Sequence, residues 1–127
     1  MANILVVEDD ADILELVTAR LTSYGHEVRR CATPRQALAA VNQGYLPDLV
    51  CLDVGLPEMD GFYLSYRLRR HPRLNDRVVP TIFLSARADP EHVVEGRSMG
   101  ATYITKPFSP TTLQIAIERA LATTTSA

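Results

Sequence analysis

Acidic side chains directly follow two apolar segments of this chain, and their positions call for a chemical explanation. Glu8, Asp9 and Asp10 come after the first apolar run, and Asp53 comes after the third. Acidic residues often precede a helix because they cap its free N–H groups, and we assign that role to Asp10. Asp53 differs, since it ends an apolar run and is not followed directly by a helix. A lone aspartate there could still be a simple turn residue.

A hydroxyl group and an ammonium group follow two later apolar runs. Ser85 ends the fourth run, and Lys106 lies just beyond the fifth. Lys106 is the single lysine among 13 basic residues, and the others are arginine. A genome that favours arginine explains this as well as a specific need for a slim ammonium group. Ser85 and Lys106 become functional candidates if the fold brings them to the carboxylates.

Hydrophobic periodicity indicates the elements that would position these groups. Short apolar runs alternate with segments of helical period, which predicts βαβ units, five parallel strands and five helices in an α/β fold. The predicted strands are residues 4–7, 27–31, 49–52, 81–84 and 101–104. The first, third and fourth are almost continuously apolar, as central strands should be. The second contains Arg29 and Arg30 and is predicted at the edge of the sheet.

Cap residues predict where the helices begin and end. Three of the predicted starts pair a capping side chain with proline at the first helical position, and the other is an Asp-Gly pair. The predicted N-caps are Thr33, Asp60, Asp89 and Ser109, and the predicted ends lie near Gly25, His71 and Gly100. In the first helix Ile13, Val17 and Leu21 recur every four residues, and Leu14 and Leu16 are expected to widen this apolar stripe.

Charge balance at one edge of the sheet predicts a cation site. Ligands bind beyond the carboxyl ends of parallel strands, so the strand-end carboxylates should face each other there. Two carboxylates about 4 Å apart repel by about 4 kcal/mol at an effective dielectric near 20. Glu8, Asp9 and Asp53 against Lys106 leave two negative charges, which one divalent ion neutralises. Oxygen ligands favour Mg²⁺, with Mn²⁺ as an alternative. Mg²⁺ commonly shares phosphate oxygens and aspartate can attack phosphorus, so phosphoryl transfer to Asp53 is predicted.

These residues resemble the receiver domain of bacterial two-component response regulators, over essentially the whole chain. Four segments carry the resemblance: residues 4–10, 53–61, 84–86 and 100–108. Any one is suggestive, and all four in this order are highly specific. The resemblance implies a doubly wound, flavodoxin-like sheet with strand order 2-1-3-4-5. It also implies that Asp53 accepts a phosphoryl group from the phosphohistidine of a sensor histidine kinase or a histidine phosphotransfer protein.

The resemblance further implies how other residues would take part. Glu8, Asp9 and Asp53 would hold the metal together with the backbone carbonyl of Gly55. The domain would promote its own Mg²⁺-dependent phosphotransfer and autodephosphorylation, and would not be a turnover enzyme on a separate substrate.

Ser85 and Lys106 would hold the phosphoryl oxygens, and the Lys106-Pro107 bond would be cis. Tyr103 matches the switch aromatic of the family, although a half-buried strand tyrosine fits the composition equally well. Phosphorylation would rearrange the surface of the fourth helix, fifth strand and fifth helix, which is also a candidate homodimer surface.

Composition limits the remaining classes. A chain of 127 residues suits one domain, which we predict over residues 1–122, with 123–127 as a polar tail or the start of a linker. A net charge of -2 gives no reason to expect nucleic acid or a membrane as a direct partner. The N-terminus lacks the basic lead of a secretion signal, so a cytoplasmic location is predicted. Cys31 and Cys51 are predicted to be buried free thiols.

Three other functions compete with the phosphorylation switch. An aspartate-dependent phosphatase would usually need a second acid two residues after its nucleophile, where Gly55 stands. A flavin-binding electron carrier of the same fold needs a phosphate-cradling loop after the first strand, which the acidic residues 8–10 would repel. A receiver-like dimerisation module that no longer takes phosphate is disfavoured because each chemical position is filled.

Basic side chains outside these positions receive a simpler interpretation. The cluster at the end of the third helix is interpreted as complementing the helix dipole rather than as a docking site. Its members are Arg67, Arg69, Arg70, His71 and Arg73. Arg87 could contact the phosphoryl group and change its lifetime, although a solvated arginine is the more usual case.

Overall fold

A computed structural model describes residues 2–86 and 102–125 of the chain. Its strands are β1 (Asn3–Val7), β2 (Glu27–Cys31), β3 (Leu49–Asp53), β4 (Thr81–Ser85) and β5 (Thr102–Thr105). They form one sheet in the order β2-β1-β3-β4-β5, in which every neighbouring pair is parallel. The predicted α/β fold and strand order are confirmed. The edge position of β2 and the central positions of β1, β3 and β4 are confirmed as well.

The helices of the described residues begin at the predicted caps. They are α1 (Ala11–Ser23), α2 (Pro34–Asn42), α3 (Gly61–Arg69) and a C-terminal helix (Pro110–Thr125). In each, a side-chain oxygen accepts a hydrogen bond from a backbone N–H of the first turn. The capping residues are Asp10, Thr33, Asp60 and Ser109. The predicted fourth helix, from Asp89 to Gly100, lies outside the described residues.

The end of α1 shows why Gly25 is needed. Gly25 has a φ angle of 92°, in the left-handed region that glycine enters at little cost. Its N–H donates to the Thr22 carbonyl at 3.0 Å, and the His26 N–H donates to the Leu21 carbonyl at 3.1 Å. This pair of bonds is a Schellman motif. It turns the chain directly into β2.

One detail of the α1 prediction is wrong. Leu14, Val17 and Leu21 are buried, but the side chain of Leu16 is 46% exposed and does not widen the apolar stripe. At about 100° per residue, Leu16 lies roughly 100° away from Val17 around the helix axis and points off the core-facing side. Leucine is tolerated there because single apolar side chains are common on protein surfaces.

Two apolar clusters form the core, one on each face of the sheet. One joins Leu5, Leu52 and Phe83 of the sheet to residues of α2 and α3. The other joins strand residues of opposite side-chain parity, such as Ile4 and Ile82, to residues of α1 and the C-terminal helix. Burial on both faces explains why the central strands are almost continuously apolar.

The structure also shows the state of the cysteines and the character of the helices. Cys31 and Cys51 are buried and free, as predicted. Within the described residues, none of the helices combines the length and the apolar character that crossing a membrane requires.

The C-terminal helix continues to Thr125, into the segment 123–127 that the sequence suggests is a tail or linker. The domain limit at residue 122 stays a prediction.

Candidate functional site

Three carboxylates meet at the carboxyl edge of the sheet. Val7 of β1 pairs with Leu52 of β3, so the residues that follow these two positions, Glu8 and Asp53, lie beside each other. Glu8, Asp9 and Asp53 each offer one oxygen, and these oxygens lie within 4.8 Å of one another. We call these three residues the acidic rim. The parallel register of β1 and β3 therefore brings together carboxylates from distant parts of the sequence.

Glu8 is the most deeply buried member of the acidic rim. Its side chain has no exposed surface. One carboxylate oxygen, Oε1, accepts a hydrogen bond from Lys106 Nζ at 2.5 Å, and Oε2 accepts one from the Asp10 N–H at 3.1 Å. Burial raises the pKa of Glu8 from its ordinary 4.5 to about 7, although the bonds from Lys106 and Asp10 favour the charged form. Glu8 is thus a carboxylate whose charge depends on its cationic partner.

Lys106 supplies that partner and also reaches Asp53. Its Nζ lies 3.4 Å from Asp53 Oδ1, and its side chain is only 13% exposed. Burial alone would lower the pKa of Lys106, but the hydrogen bond to Glu8 and the charges of Asp53 and Glu8 raise it instead. The ammonium group therefore stays charged between two carboxylates. Its backbone is fixed as well, because the Lys106 N–H donates to the Ser85 carbonyl at 2.6 Å.

Among the described residues, the polar contacts of the Asp53 side chain fall on one of its two oxygens. The residue is buried, and Oδ1 accepts a hydrogen bond from the Gly55 N–H at 3.2 Å. The contact with Lys106 falls on the same oxygen. Within residues 2–86 and 102–125, Oδ2 therefore has no hydrogen-bond donor. This arrangement fixes the orientation of the carboxylate while one oxygen remains available as a nucleophile.

Gly61 packs against the backbone of Asp53, a contact that the sequence interpretation missed. A Cβ atom on Gly61 would lie 2.4 Å from the Asp53 carbonyl oxygen, closer than real Cβ atoms approach. The Gly61 N–H also donates to the Val54 carbonyl at 2.8 Å. The sequence interpretation gives the Asp60-Gly61 pair as the start of a helix and as part of the segment 53–61, without a contact to Asp53. Glycine at the first helical position, in place of the proline found elsewhere in this chain, was the available signal.

The acidic rim has the composition of a site for a hard cation. Glu8 and Asp53 are buried, whereas Asp9 is exposed and borders solvent. All the groups are oxygen ligands, which suits Mg²⁺ or Mn²⁺ better than zinc. Because both Glu8 oxygens already accept hydrogen bonds, Asp9 and Asp53 are the members with the most accessible oxygens.

The other predicted site residues lie on β4, on β5 and just after β3. Ser85 is buried at the end of β4, and Tyr103 lies half-buried on β5, against the core cluster of α2 and α3. Gly55 is exposed two residues beyond Asp53, and its carbonyl as a metal ligand stays a prediction. The Lys106-Pro107 bond is cis, as the resemblance implied. Arg87 lies outside the described residues.

The predicted basic cluster lies at the other end of α3. Arg67 and Arg69 are in the last turn of the helix and Arg70 is its C-cap, as the dipole interpretation requires. His71 contacts Asn42 of α2, with 2.6 Å between Nε2 and Oδ1. The cluster therefore lies at the C-terminal end of α3, whereas the N-terminal residue Gly61 is the one that packs against Asp53.

Comparison with known proteins gives consistent matches. The family model described as response regulator receiver domain matches residues 4–118. The DNA-binding dual master transcriptional regulator RpaA of Synechocystis is 39% identical over 111 residues, which cover 85% of this chain and 44% of that protein. The phosphate regulon transcriptional regulatory protein PhoB of Pseudomonas aeruginosa is 36% identical over 122 residues, covering 95% of this chain and 52% of that protein.

A solved structure agrees with the fold. Chemotaxis response regulator CheY4 of Vibrio cholerae has a TM-score of 0.84 and 34% identity, covering 95% of this chain and 99% of that one. The chain thus spans about half the length of the curated relatives it matches, but almost the whole of this solved chain.

Proposed function

The chain belongs to the response regulator receiver domain family, and on this basis we propose that it is a phosphorylation-dependent signalling switch with Asp53 as phosphoacceptor. One observation carries the proposal. Asp53 is a buried carboxylate that the described residues contact through Oδ1 and not Oδ2, beside an ammonium group and two further carboxylates. A structural turn residue has no need of this combination.

The transfer step follows from these contacts. Asp53 Oδ2 attacks the phosphorus of a phosphohistidine on a sensor histidine kinase or a histidine phosphotransfer protein. The new O–P bond forms as the P–N bond breaks, and the imidazole nitrogen keeps the electron pair and takes up a proton. Lys106, already directed at Asp53, would stabilise the charge on the phosphoryl oxygens, and the Ser85 hydroxyl is the proposed second partner.

The oxygen donors of the acidic rim suit a divalent cation. Three carboxylate oxygens within 4.8 Å of one another need a cation to offset their repulsion, and Lys106 offsets only part of it. Asp9 and Asp53 would hold Mg²⁺ or Mn²⁺, with Glu8 and the Gly55 carbonyl completing the protein ligands. When bound, the ion would neutralise charge on the transferring phosphoryl group.

Signalling would follow from a linked movement of Ser85 on β4 and Tyr103 on β5. Movement of the Ser85 hydroxyl toward the phosphoryl group would let Tyr103 turn inward from its half-buried position on β5. The surface of the predicted fourth helix, β5 and the C-terminal helix would then change, and it is the proposed homodimer contact. RpaA is named a DNA-binding transcriptional regulator and PhoB a transcriptional regulatory protein, and both are about twice as long as this chain. We propose that the whole protein acts through a further output domain and that it is cytoplasmic.

The domain is not proposed to be a turnover enzyme. At the position where an aspartate-dependent phosphatase would carry its second acid, Gly55 donates its N–H to Asp53. Its remaining chemistry would be promotion of its own phosphotransfer and autodephosphorylation. The crowded carboxylates after β1 also argue against a flavin phosphate at this edge.

Incubation with acetyl phosphate and Mg²⁺ tests the proposal. We expect intact-mass spectrometry to detect the gain of one phosphoryl group, which disappears when EDTA is added first. Asp53→Asn should abolish the gain because it removes the nucleophilic oxygen. Asp76→Asn, an exposed aspartate beyond α3, is the matched control and should react normally. An unmodified mass for the unmutated chain, or equal gain in Asp53→Asn, would contradict the proposal.

A further inference from the structure

The solvent-facing side of α3 carries an ordered stripe of tyrosine and arginine. Tyr63, Tyr66, Arg67 and Arg70 follow the spacing i, i+3, i+4 and i+7, which places them on one face of a helix. The Tyr63 and Tyr66 side chains are 50% and 48% exposed, and both arginines are exposed. We call these four residues the Tyr/Arg stripe. It lies opposite the buried face of α3, which includes Phe62 and Leu68.

The side chains of the Tyr/Arg stripe contact one another. The two tyrosine rings are nearly parallel, with an interplanar angle of 17° and 6.3 Å between centroids. The Arg67 guanidinium lies 5.9 Å from the Tyr63 centroid, and that of Arg70 lies 4.6 Å from the Tyr66 centroid. A guanidinium stacked on a ring keeps its N–H edge available for hydrogen bonds. Among the described residues, neither arginine forms an ion pair.

The helix dipole does not explain this arrangement. It accounts for positive charge in the last turn of α3, but Tyr63 lies in the first turn and carries no charge. Nor does core packing explain it, since about half of the surface of Tyr63 and of Tyr66 is exposed. Tyrosine and arginine are the residue types that supply much of the binding energy in protein interfaces. The stripe therefore has the composition of a contact surface.

A groove of mixed polarity adjoins the Tyr/Arg stripe and shares Arg67 with it. The groove lies between α2 and α3 and has a volume of about 350 Å³. Leu38, Ala39 and Met59 line it with apolar surface, and Asn42 adds a polar group. Arg35 and Glu58 also line it and form an ion pair at 3.0 Å, so the net positive charge of the lining comes from Arg67. This volume is at the lower end of ligand pockets, which are about 300–1,000 Å³, and suits one or two inserted side chains.

Charge identifies the kind of partner that would fit. Residues 61–77 contain five arginines and one acidic residue, although the whole chain has a net charge of -2. Arginine binds carboxylates through two parallel hydrogen bonds. We propose that the Tyr/Arg stripe and the adjoining groove dock an acidic segment of a protein partner, which inserts an apolar side chain between α2 and α3. This surface is separate from the acidic rim, and the proposal does not rest on the phosphoryl chemistry.

Single-stranded nucleic acid is the rival occupant, since it too binds arginine and stacks on aromatic rings. One feature favours a protein segment. Leu38, Ala39 and Met59 in the groove lining match an inserted apolar side chain better than a nucleotide.

Selection from a random displayed peptide library tests the proposal without assuming a partner sequence. The full chain serves as bait, and the Arg67→Gln/Arg70→Gln double variant removes peptides that bind elsewhere. We expect enriched peptides to combine several Asp or Glu residues with at least one aliphatic or aromatic residue. The strongest peptide should bind the double variant at least about tenfold more weakly, a loss of about 1.4 kcal/mol. Arg20→Gln, an exposed arginine on α1, is the control and should bind normally.

Amide chemical shifts measured during titration with the selected peptide should change on α3 and beside the groove. Tyr63→Ala/Tyr66→Ala is a second variant that should weaken binding at unchanged net charge. Circular dichroism and thermal unfolding establish that both variants are folded. Absence of enrichment over the double variant, enriched peptides without acidic residues, or stronger binding of a short oligothymidine would each overturn the proposal.

Discussion

Charge is handled differently at the carboxyl edge of the sheet and on the exposed face of α3. In the acidic rim Glu8 has no exposed surface, and Lys106, with 13% exposed, contacts it directly. In the Tyr/Arg stripe both arginines remain in water and stack on half-exposed rings. Desolvation makes the loss of one buried partner costly, whereas water screens exposed charges. Folding should therefore depend on the largely buried charges of Glu8, Asp53 and Lys106, and the stripe should matter for binding rather than for folding.

Removal of the Lys106 ammonium group should have the largest effect on stability. Lys106→Met leaves Glu8 buried without its partner, so we expect a loss of about 3 kcal/mol in the free energy of unfolding at pH 8. Urea denaturation measures this loss. The loss should shrink at pH 6, where Glu8 can take up a proton. Arg20→Met on the exposed face of α1 is the control, and an equal loss in both variants would contradict the comparison.

Steric tolerance separates two glycines at the same edge. Gly61→Ala would place a Cβ 2.4 Å from the Asp53 carbonyl oxygen, and we expect it to cost about 2 kcal/mol and to slow phosphorylation by displacing Asp53. Gly55→Ala is the matched control, because a Cβ there meets no atom within 4 Å. Thermal unfolding and the rate of mass gain with acetyl phosphate measure the two effects. Similar behaviour of the two variants would show that the close contact is unimportant.

The buried carboxylate should also make stability depend on pH. Because the pKa of Glu8 is raised from 4.5 to about 7, the folded protein holds a proton there that the unfolded chain has released. Stability of the metal-free protein should therefore fall as pH rises from 4.5 toward 7, by at most about 1.4 kcal/mol per pH unit from this group. Glu8→Gln should flatten that slope, whereas Asp76→Asn should not. An unchanged slope in Glu8→Gln would contradict the assignment to Glu8.

The smallest effect on stability is expected at the Tyr/Arg stripe. Arg67→Gln together with Arg70→Gln should change the free energy of unfolding by less than about 0.5 kcal/mol, because both side chains are exposed. Urea denaturation measures this change, and Arg20→Gln gives the change in unfolding free energy expected for an ordinary surface arginine. A loss comparable to that of Lys106→Met would show that the stripe supports the fold.

The sequence alone was informative where local chemistry decides structure. Thr33, Asp60 and Ser109 cap helices where they were predicted to, since a capping side chain acts on the backbone within a few residues of itself. Strand types followed from runs of apolar residues, because a strand covered on both faces must be apolar throughout. The prediction for Leu16 was wrong because spacing within a helix does not say how wide the buried face is.

Tertiary structure decided the contacts between residues far apart in the chain. Strand order came from resemblance to a family, and the meeting of the strand-end carboxylates was inferred from the parallel sheet. Only the fold shows that Lys106 lies between Glu8 and Asp53. Burial of Glu8, which raises its pKa to about 7, depends on every element around it. The same holds for Gly61, whose close approach to Asp53 exists only once α3 has packed on the sheet. Residue types thus determined which groups could react, and packing decided which of them meet, because distance and desolvation set the strength of each interaction.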